Sequence, residues 1–242
     1  KQLNVTMGSP LKNSTLFSFV EVLFTMQIHA INYKRNAFYY KDVIAVIEHP
    51  YFSKIVDAKA VIALKKFIIK DNIVFVSKIN IHSLLFGDDK VKQLFDIWKI
   101  VGESLQCLDD LVLLLRKPLV GKKGTIASEV LATFYKSITV LQNLIAENNF
   151  DLELKTLQVV MQQLVAKETI PFKGEPLKGV QLMGILESRT LDFKNVIMLS
   201  VNEGKLPKGK SVNSFIPYDM KRYFKLPTYD ESDAVFSYHF YR

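Results

Sequence analysis

The 242-residue chain holds one cysteine, Cys107, which excludes an internal disulfide and any zinc site built on two or more thiolates. A lone thiol fits a reducing, intracellular setting. Glycine is scarce, 10 residues or about 4% against a usual ~7%, which argues for helices over a turn-rich β-barrel. No apolar run approaches the roughly 20 residues of a bilayer span; the densest, Leu111 to Leu115, ends at Arg116-Lys117-Pro118. A signal-peptide pattern is also missing, since Lys1-Gln2-Leu3-Asn4 runs straight into a strand-like Val5-Thr6-Met7. The chain starts without Met and stops at Tyr241-Arg242 inside a helix-like stretch, and so reads as a piece of a longer protein. Arginine is sparse as well: only Arg35, Arg116, Arg189, Arg222 and Arg242 among 32 basic residues, the others being lysine.

What is present is ordinary for a folded chain. Apolar residues make up 49% and charged ones 23%, so wholesale disorder and low-complexity architectures are excluded. The net charge of +8 and a pI near 9.3 favour a polyanionic partner, nucleic acid before an acidic membrane face. Lysine neutralises phosphate as a point charge, whereas arginine forks onto phosphates and guanine edges. Binding to DNA is therefore expected to follow the backbone rather than the sequence, with the alternative that much of the charge is solvated surface.

Along the chain, a strand at Asn4 to Met7, a turn at Gly8-Ser9-Pro10 and a helix from Thr15 to about Ile31 with Ser14 as N-cap open an α/β layer. From residue 34 the texture becomes helical: Lys41 to Glu48, Ala58 to Lys70, Val91 to Val101, Ser104 to Leu115, Ser128 to Glu147 and Leu152 to Lys167, with Ile73 to Val76 strand-like. After Pro176 it reverts to two apolar runs, Val180 to Ile185 and Val196 to Val201, followed by helices at Tyr218 to Phe224 and Ser232 to Arg242. Residues 1–33 and 178–242 are thus expected to close into one α/β domain with a parallel sheet, interrupted by a mostly helical insertion at 34–177.

The chemical motifs narrow the function. Gly204-Lys205-Leu206-Pro207-Lys208-Gly209-Lys210-Ser211 fits the phosphate-loop template G-x-x-x-x-G-K-S/T after a strand. Pro217 comes six residues later, before a helix could open at the Lys-Ser pair, so the loop reads as ordinary chain. The four histidines, His29, His49, His82 and His239, lack the i, i+4 spacing of a helical metal site, and no Gly-x-Ser-x-Gly elbow occurs. No catalytic residue and no metal ligand is assigned, and a base-stacking platform among the 17 Phe and 10 Tyr is not indicated by their mostly core-like spacing.

The stretch from Gly179-Val180-Gln181-Leu182-Met183-Gly184 through Glu187-Ser188-Arg189-Thr190-Leu191-Asp192-Phe193 to Asn202-Glu203-Gly204-Lys205-Leu206-Pro207 is the informative one. It resembles the fifth conserved motif of UvrD-type superfamily 1 helicases, in which a V-Q-L-M strand leads to a T-x-H-x-x-K-G-L-E-F loop, a second strand and an E-G-x-x-P turn. The form L-E-S-R-x-L-D-F with N-E-G-x-L-P is similar to the B subunit of AddAB-type helicase-nucleases and related PD-(D/E)XK nuclease proteins. Asn4 to Leu11, Ser214-Phe215-Ile216-Pro217, Leu226-Pro227-Thr228 and Phe240-Tyr241-Arg242 look like further parts of the same motor domain.

That resemblance implies a RecA-like 2A domain interrupted by a helical 2B-like insertion. It implies a fragment of an AddB-like, ATP-dependent helicase-nuclease that processes DNA double-strand breaks, cytoplasmic and nucleoid-associated. Glu187, Arg189 and Asp192 would form a nucleotide-binding or vestigial motor loop, with a structural ion-pair cluster as the alternative. Gly8, Ser9, Lys12, Gly184, Asn202 and Lys205 would be the DNA-contacting positions. Gly184 and Leu186 stand where active motors carry Thr and His, so phosphate would have to be held without those side chains. ATP and magnesium are expected only for the full-length protein or its partner subunit, and none for this fragment, whose partners would be DNA and that subunit, with no membrane. Two other classes stay open: a protein-interaction module whose basic face meets an acidic partner, and a phosphate-loop ATPase.

Overall fold

The computed structural model describes residues 3–85, 89–119, 125–148, 150, 152–170, 179–184, 187–188, 191–202, 215–226 and 228. The chain falls into two compact units, Lys1–Met7 with Gly174–Arg242, and Gly8–Lys173. The fold is α/β and mostly helical, with a small parallel sheet.

In the first unit the two ends of the chain meet. Strand β1, Leu3–Val5, pairs in parallel with β6, Val180–Leu182, in the register Leu3 with Val180, Asn4 with Gln181 and Val5 with Leu182. The buried Asn4 amide donates to the Gln181 side-chain oxygen at 2.6 Å, and Thr6 N–H extends the ladder to the Leu182 carbonyl at 3.0 Å. The expected second strand, Val196 to Val201, does not pair among the described residues. Val196, Ile197 and Leu199 are 66%, 88% and 76% exposed, with no strand beside them among the described residues. Helix α9, Tyr218–Tyr223, forms where expected, and Leu226 N–H closes it onto the Lys221 carbonyl with Lys225 at φ 54°.

The second unit is helical. Helix α1, Thr15–Asn32, starts where Ser14 Oγ accepts the Phe17 N–H at 3.2 Å. It buries Leu16, Phe17, Phe19, Val20, Leu23, Phe24, Met26, Gln27 and Ala30, more than one stripe, and is packed by α2, Tyr40–Ile47, and α8, Leu154–Lys167. The helix lies within the second compact unit, which begins at Gly8. Helix α3, Ala58–Lys70, capped by Asp57, coincides with its expected span. Helices α6, Val101–Leu119, and α7, Ile126–Asn148, pair with each other and run longer than expected.

Two elements depart from the sequence reading. Strand β3, Ala37–Tyr39, pairs antiparallel with β4, Phe75–Ser77, and Ser77 then caps α4, Lys78–Leu84, through Asn80 N–H. The expected helix Val91 to Val101 is instead a short α5, Asp89–Gln93, followed by turns and extended chain. Its backbone is captured from outside: the fully buried Gln27 amide donates to the Leu94 and Asp96 carbonyls at 3.0 and 2.8 Å, and its oxygen accepts the Trp98 N–H at 3.2 Å. Those bonds replace an intrahelical ladder. Among the described residues no helix is long and apolar enough to cross a membrane.

Candidate nucleic-acid interface

The candidate positions fall into both units. Gly184 follows β6, and the space a Cβ would take there is filled by the Glu187 carboxylate, which folds back over the turn. That carboxylate is the far end of a flexible side chain and can swing aside, so the turn does not demand glycine at 184. Leu191 N–H closes the next turn on the Ser188 carbonyl at 3.2 Å, and Asp192 and Phe193 are exposed beyond it. Among the described residues neither Glu187 nor Asp192 has a cationic partner within ion-pair distance. Arg189, Leu186 and Lys205 lie outside the described residues, as does the phosphate-loop-like run 204–211. Asn202 is exposed, its N–H turned to the Ser200 carbonyl at 3.0 Å across a residue pair that begins with Ser200 at φ 61°.

In the helical unit, Ser9 and Pro10 form strand β2, which pairs antiparallel with β5, Thr169–Ile170. Gly8 stands at this crossing: a Cβ on it would lie 2.9 Å from Thr169 Cβ and 3.4 Å from the Ile170 carbonyl oxygen. Close packing thus accounts for glycine at 8. We expect Gly8→Ala to destabilise the chain by about 1–3 kcal/mol, and Thr169→Gly to remove most of that penalty in the double variant, measured by urea melts. An equal penalty in both backgrounds would refute the steric account. Lys12 is exposed on the 3-10 turn Leu11–Asn13, its amine open to solvent or an anion.

The first unit also carries cations that the motif comparison passed over. A shallow recess of about 480 Å³ is lined by Tyr218, Arg222, Lys225, Leu226 and Thr228. Arg222 and Lys225 sit at the C-terminal end of α9, where the helix dipole itself favours positive charge. Their signal in the sequence is the Lys-Arg-x-x-Lys spacing of residues 221–225, which helical periodicity alone assigns to a solvated face.

The histidines have structural partners. His29 Nδ1 lies 2.8 Å from Asp42, and His82 Nε2 lies 3.0 Å from the Lys92 carbonyl. His49 Nδ1 accepts the Tyr51 N–H at 3.2 Å while its ring stacks on Phe19 at 4.8 Å, and burial holds its pKa below the ordinary histidine value. His239 lies outside the described residues. Among the described residues no three His, Cys, Asp or Glu side chains converge as a site built from protein ligands alone would require.

The chain is distantly related to DNA helicases. A 77-residue match, 31% identical, joins it to the ATP-dependent DNA helicase Rep of Buchnera aphidicola subsp. Schizaphis graminum, and takes in 31% of this chain. The chain spans only 12% of that relative's length. No protein-family model matches the chain, and no solved structure matches it.

Proposed function

We propose that this chain is a DNA-contacting, non-catalytic scaffold from the 2A and 2B region of an AddB-like helicase-nuclease that acts in the processing of DNA breaks. The observation that carries the reading is the strand-and-turn arrangement around β6. Val180–Leu182, at the head of the run that resembles a helicase fifth motif, pairs in parallel with β1, and the chain is 31% identical to a DNA helicase over 77 residues. Where active motors hold phosphate through Thr and His, this chain has Gly184 and Leu186, so the surface binds through lysine and arginine instead. Glu187, Arg189 and Asp192 are then a vestigial motor loop, and ATP with magnesium belongs to the full-length protein or its partner subunit.

The test is fluorescence anisotropy of a labelled duplex with a single-stranded tail at about 50 and 200 mM salt. Two phosphate contacts, the number that Arg222 and Lys225 of the first unit could make, weaken binding about 10-fold between those salts. Absence of duplex binding at either salt overturns the proposal and favours the protein-interaction module, whose basic face would meet an acidic partner.

A further inference from the structure

The antiparallel ribbon of β3 and β4 has one face in the core and one turned outward. Phe38 and Val76, paired across it, are fully buried, whereas the next pair along, Tyr39 and Phe75, points the other way and is only partly covered. This is the period-two alternation of a half-buried ribbon. Tyr33, the C-cap of α1 and 46% exposed, closes over the outward face with its ring 5.4 Å from Phe75 and 6.2 Å from Tyr39. Tyr40 continues the row at 5.0 Å from Tyr39. The interplanar angles lie between 53° and 79°, so the rings meet edge to face rather than as a closed stack.

Cations surround these rings. Arg35 holds its guanidinium 4.4 Å above the Phe75 ring, Lys41 reaches to 6.0 Å from Tyr40, and Lys34 is exposed between Tyr33 and Arg35 with φ 50°. The nearest carboxylate in the sequence, Asp42, is taken by His29 at 2.8 Å, while Asp71, exposed at the end of α3, is the other acid leading into β4. A folding rationale covers Phe38, Val76 and Tyr40, which packs against the core, but gives no reason for Tyr33, Tyr39 and Phe75 on the wetter side with cations around them. Strand-borne aromatics flanked by Lys and Arg are the construction by which proteins stack unpaired bases while neutralising the backbone.

We infer that the β3–β4 ribbon of the helical unit, through Tyr33, Tyr39 and Arg35, is a stacking platform for single-stranded DNA. DNA rather than RNA is the ligand because this inference rests, for that choice alone, on the DNA reading above. The platform is a separate site from the β6 motif: it reads the faces of bases, whereas that surface meets phosphates.

The experiment titrates the chain with three labelled ligands: a 12-nucleotide oligo(dT), an abasic 12-mer with the same phosphates, and a blunt duplex. Expected results are about ten-fold tighter binding of oligo(dT) than of the abasic strand, and about ten-fold loss of oligo(dT) binding in Tyr33→Ala. Tyr33→Trp keeps the affinity, and duplex binding is unchanged in Tyr33→Ala. Arg35→Ala, an exposed change that leaves the fold intact, weakens oligo(dT) as well. Equal binding of the abasic strand and oligo(dT), or full oligo(dT) binding by a folded Tyr33→Ala, overturns the platform. A preference for oligo(rU) over oligo(dT) overturns DNA as its ligand. Duplex binding with no base dependence would sink this inference and leave the proposed function standing; base-dependent oligo(dT) binding with no duplex affinity would do the reverse.

Discussion

Gln27→Ala is expected to destabilise the helical unit by about 3–5 kcal/mol, roughly 150- to 5,000-fold in the folding equilibrium. The Gln27 carboxamide is fully buried and meets three backbone groups, the carbonyls of Leu94 and Asp96 and the N–H of Trp98. Truncation removes all three partners at once. Each buried backbone group left unmet costs about 1–3 kcal/mol, and the space vacated by the side chain admits water to some of them, which sets the estimate in the lower part of the sum. Leu23, Phe24, Ala30, Leu94 and Phe95 are buried apolar residues without side-chain donors. Gln27→Met keeps the volume but not the bonds and should fall close to the alanine variant, whereas a pure packing role would leave methionine near the parent. Urea melts with an unchanged slope measure the difference. A loss below about 1 kcal/mol for alanine would mean that the 94–98 segment is held by other contacts.

The same residue shows why part of the fold was legible in the sequence and part was not. Leu94, Phe95 and Trp98 repeat at spacing that a helix would also use, and local pattern alone extends α5 to Val101. The competitor is a carboxamide some 70 positions away, which no local window contains. The strand Ala37–Tyr39 was missed for a related reason, since its pairing partner Phe75–Ser77 is distant and a three-residue run is too short to show alternation. Where the signals are local they suffice. Ser14 marks a helix start through a cap that the structure retains, and α3 spans the residues its periodicity predicts. The Val196 to Val201 run shows the converse: β-branched composition names a strand, but only a neighbouring strand makes one.

For the candidate sites the division is similar. The helicase-like run was visible because its residues are contiguous, whereas the pairing of Asn4 with Gln181 links positions no local window contains. The aromatic face was not visible, because Tyr33, Tyr39 and Phe75 come together only when α1 ends against the β3–β4 ribbon. In the sequence each ring reads as one more core residue. Burial separates them: Phe38 and Phe95 meet edge to face inside the core, while Tyr33 keeps nearly half its surface in solvent.

Cys107 supplies the second large effect and a means of reading the first. Its thiol lies on α6 and is 5% exposed. Burial, the largest cause, pushes the thiol up to about 12; the Trp98 side chain opposes this, and the Asp110 and Asp96 carboxylates add to it. The thiolate is the reactive species, so alkylation by iodoacetamide at pH 8 should be about 10³-fold slower in the native chain than in urea. Because Cys107 is the only cysteine, one incorporated label reports one site. A native rate within ten-fold of the unfolded rate would show that the α6 environment is open. If labelling instead requires unfolding of the helical unit, its rate is the unfolding constant multiplied by the intrinsic rate. Gln27→Ala must then accelerate labelling by the same 150- to 5,000-fold by which it shifts the folding equilibrium. A large shift in the urea midpoint with no change in labelling would place the opening that exposes Cys107 in α6 alone, independent of the Gln27 clasp. Matching factors would identify α1, the 94–98 segment and α6 as one cooperative unit, in which the loss of three hydrogen bonds around a single side chain is felt at a thiol 80 residues along the chain.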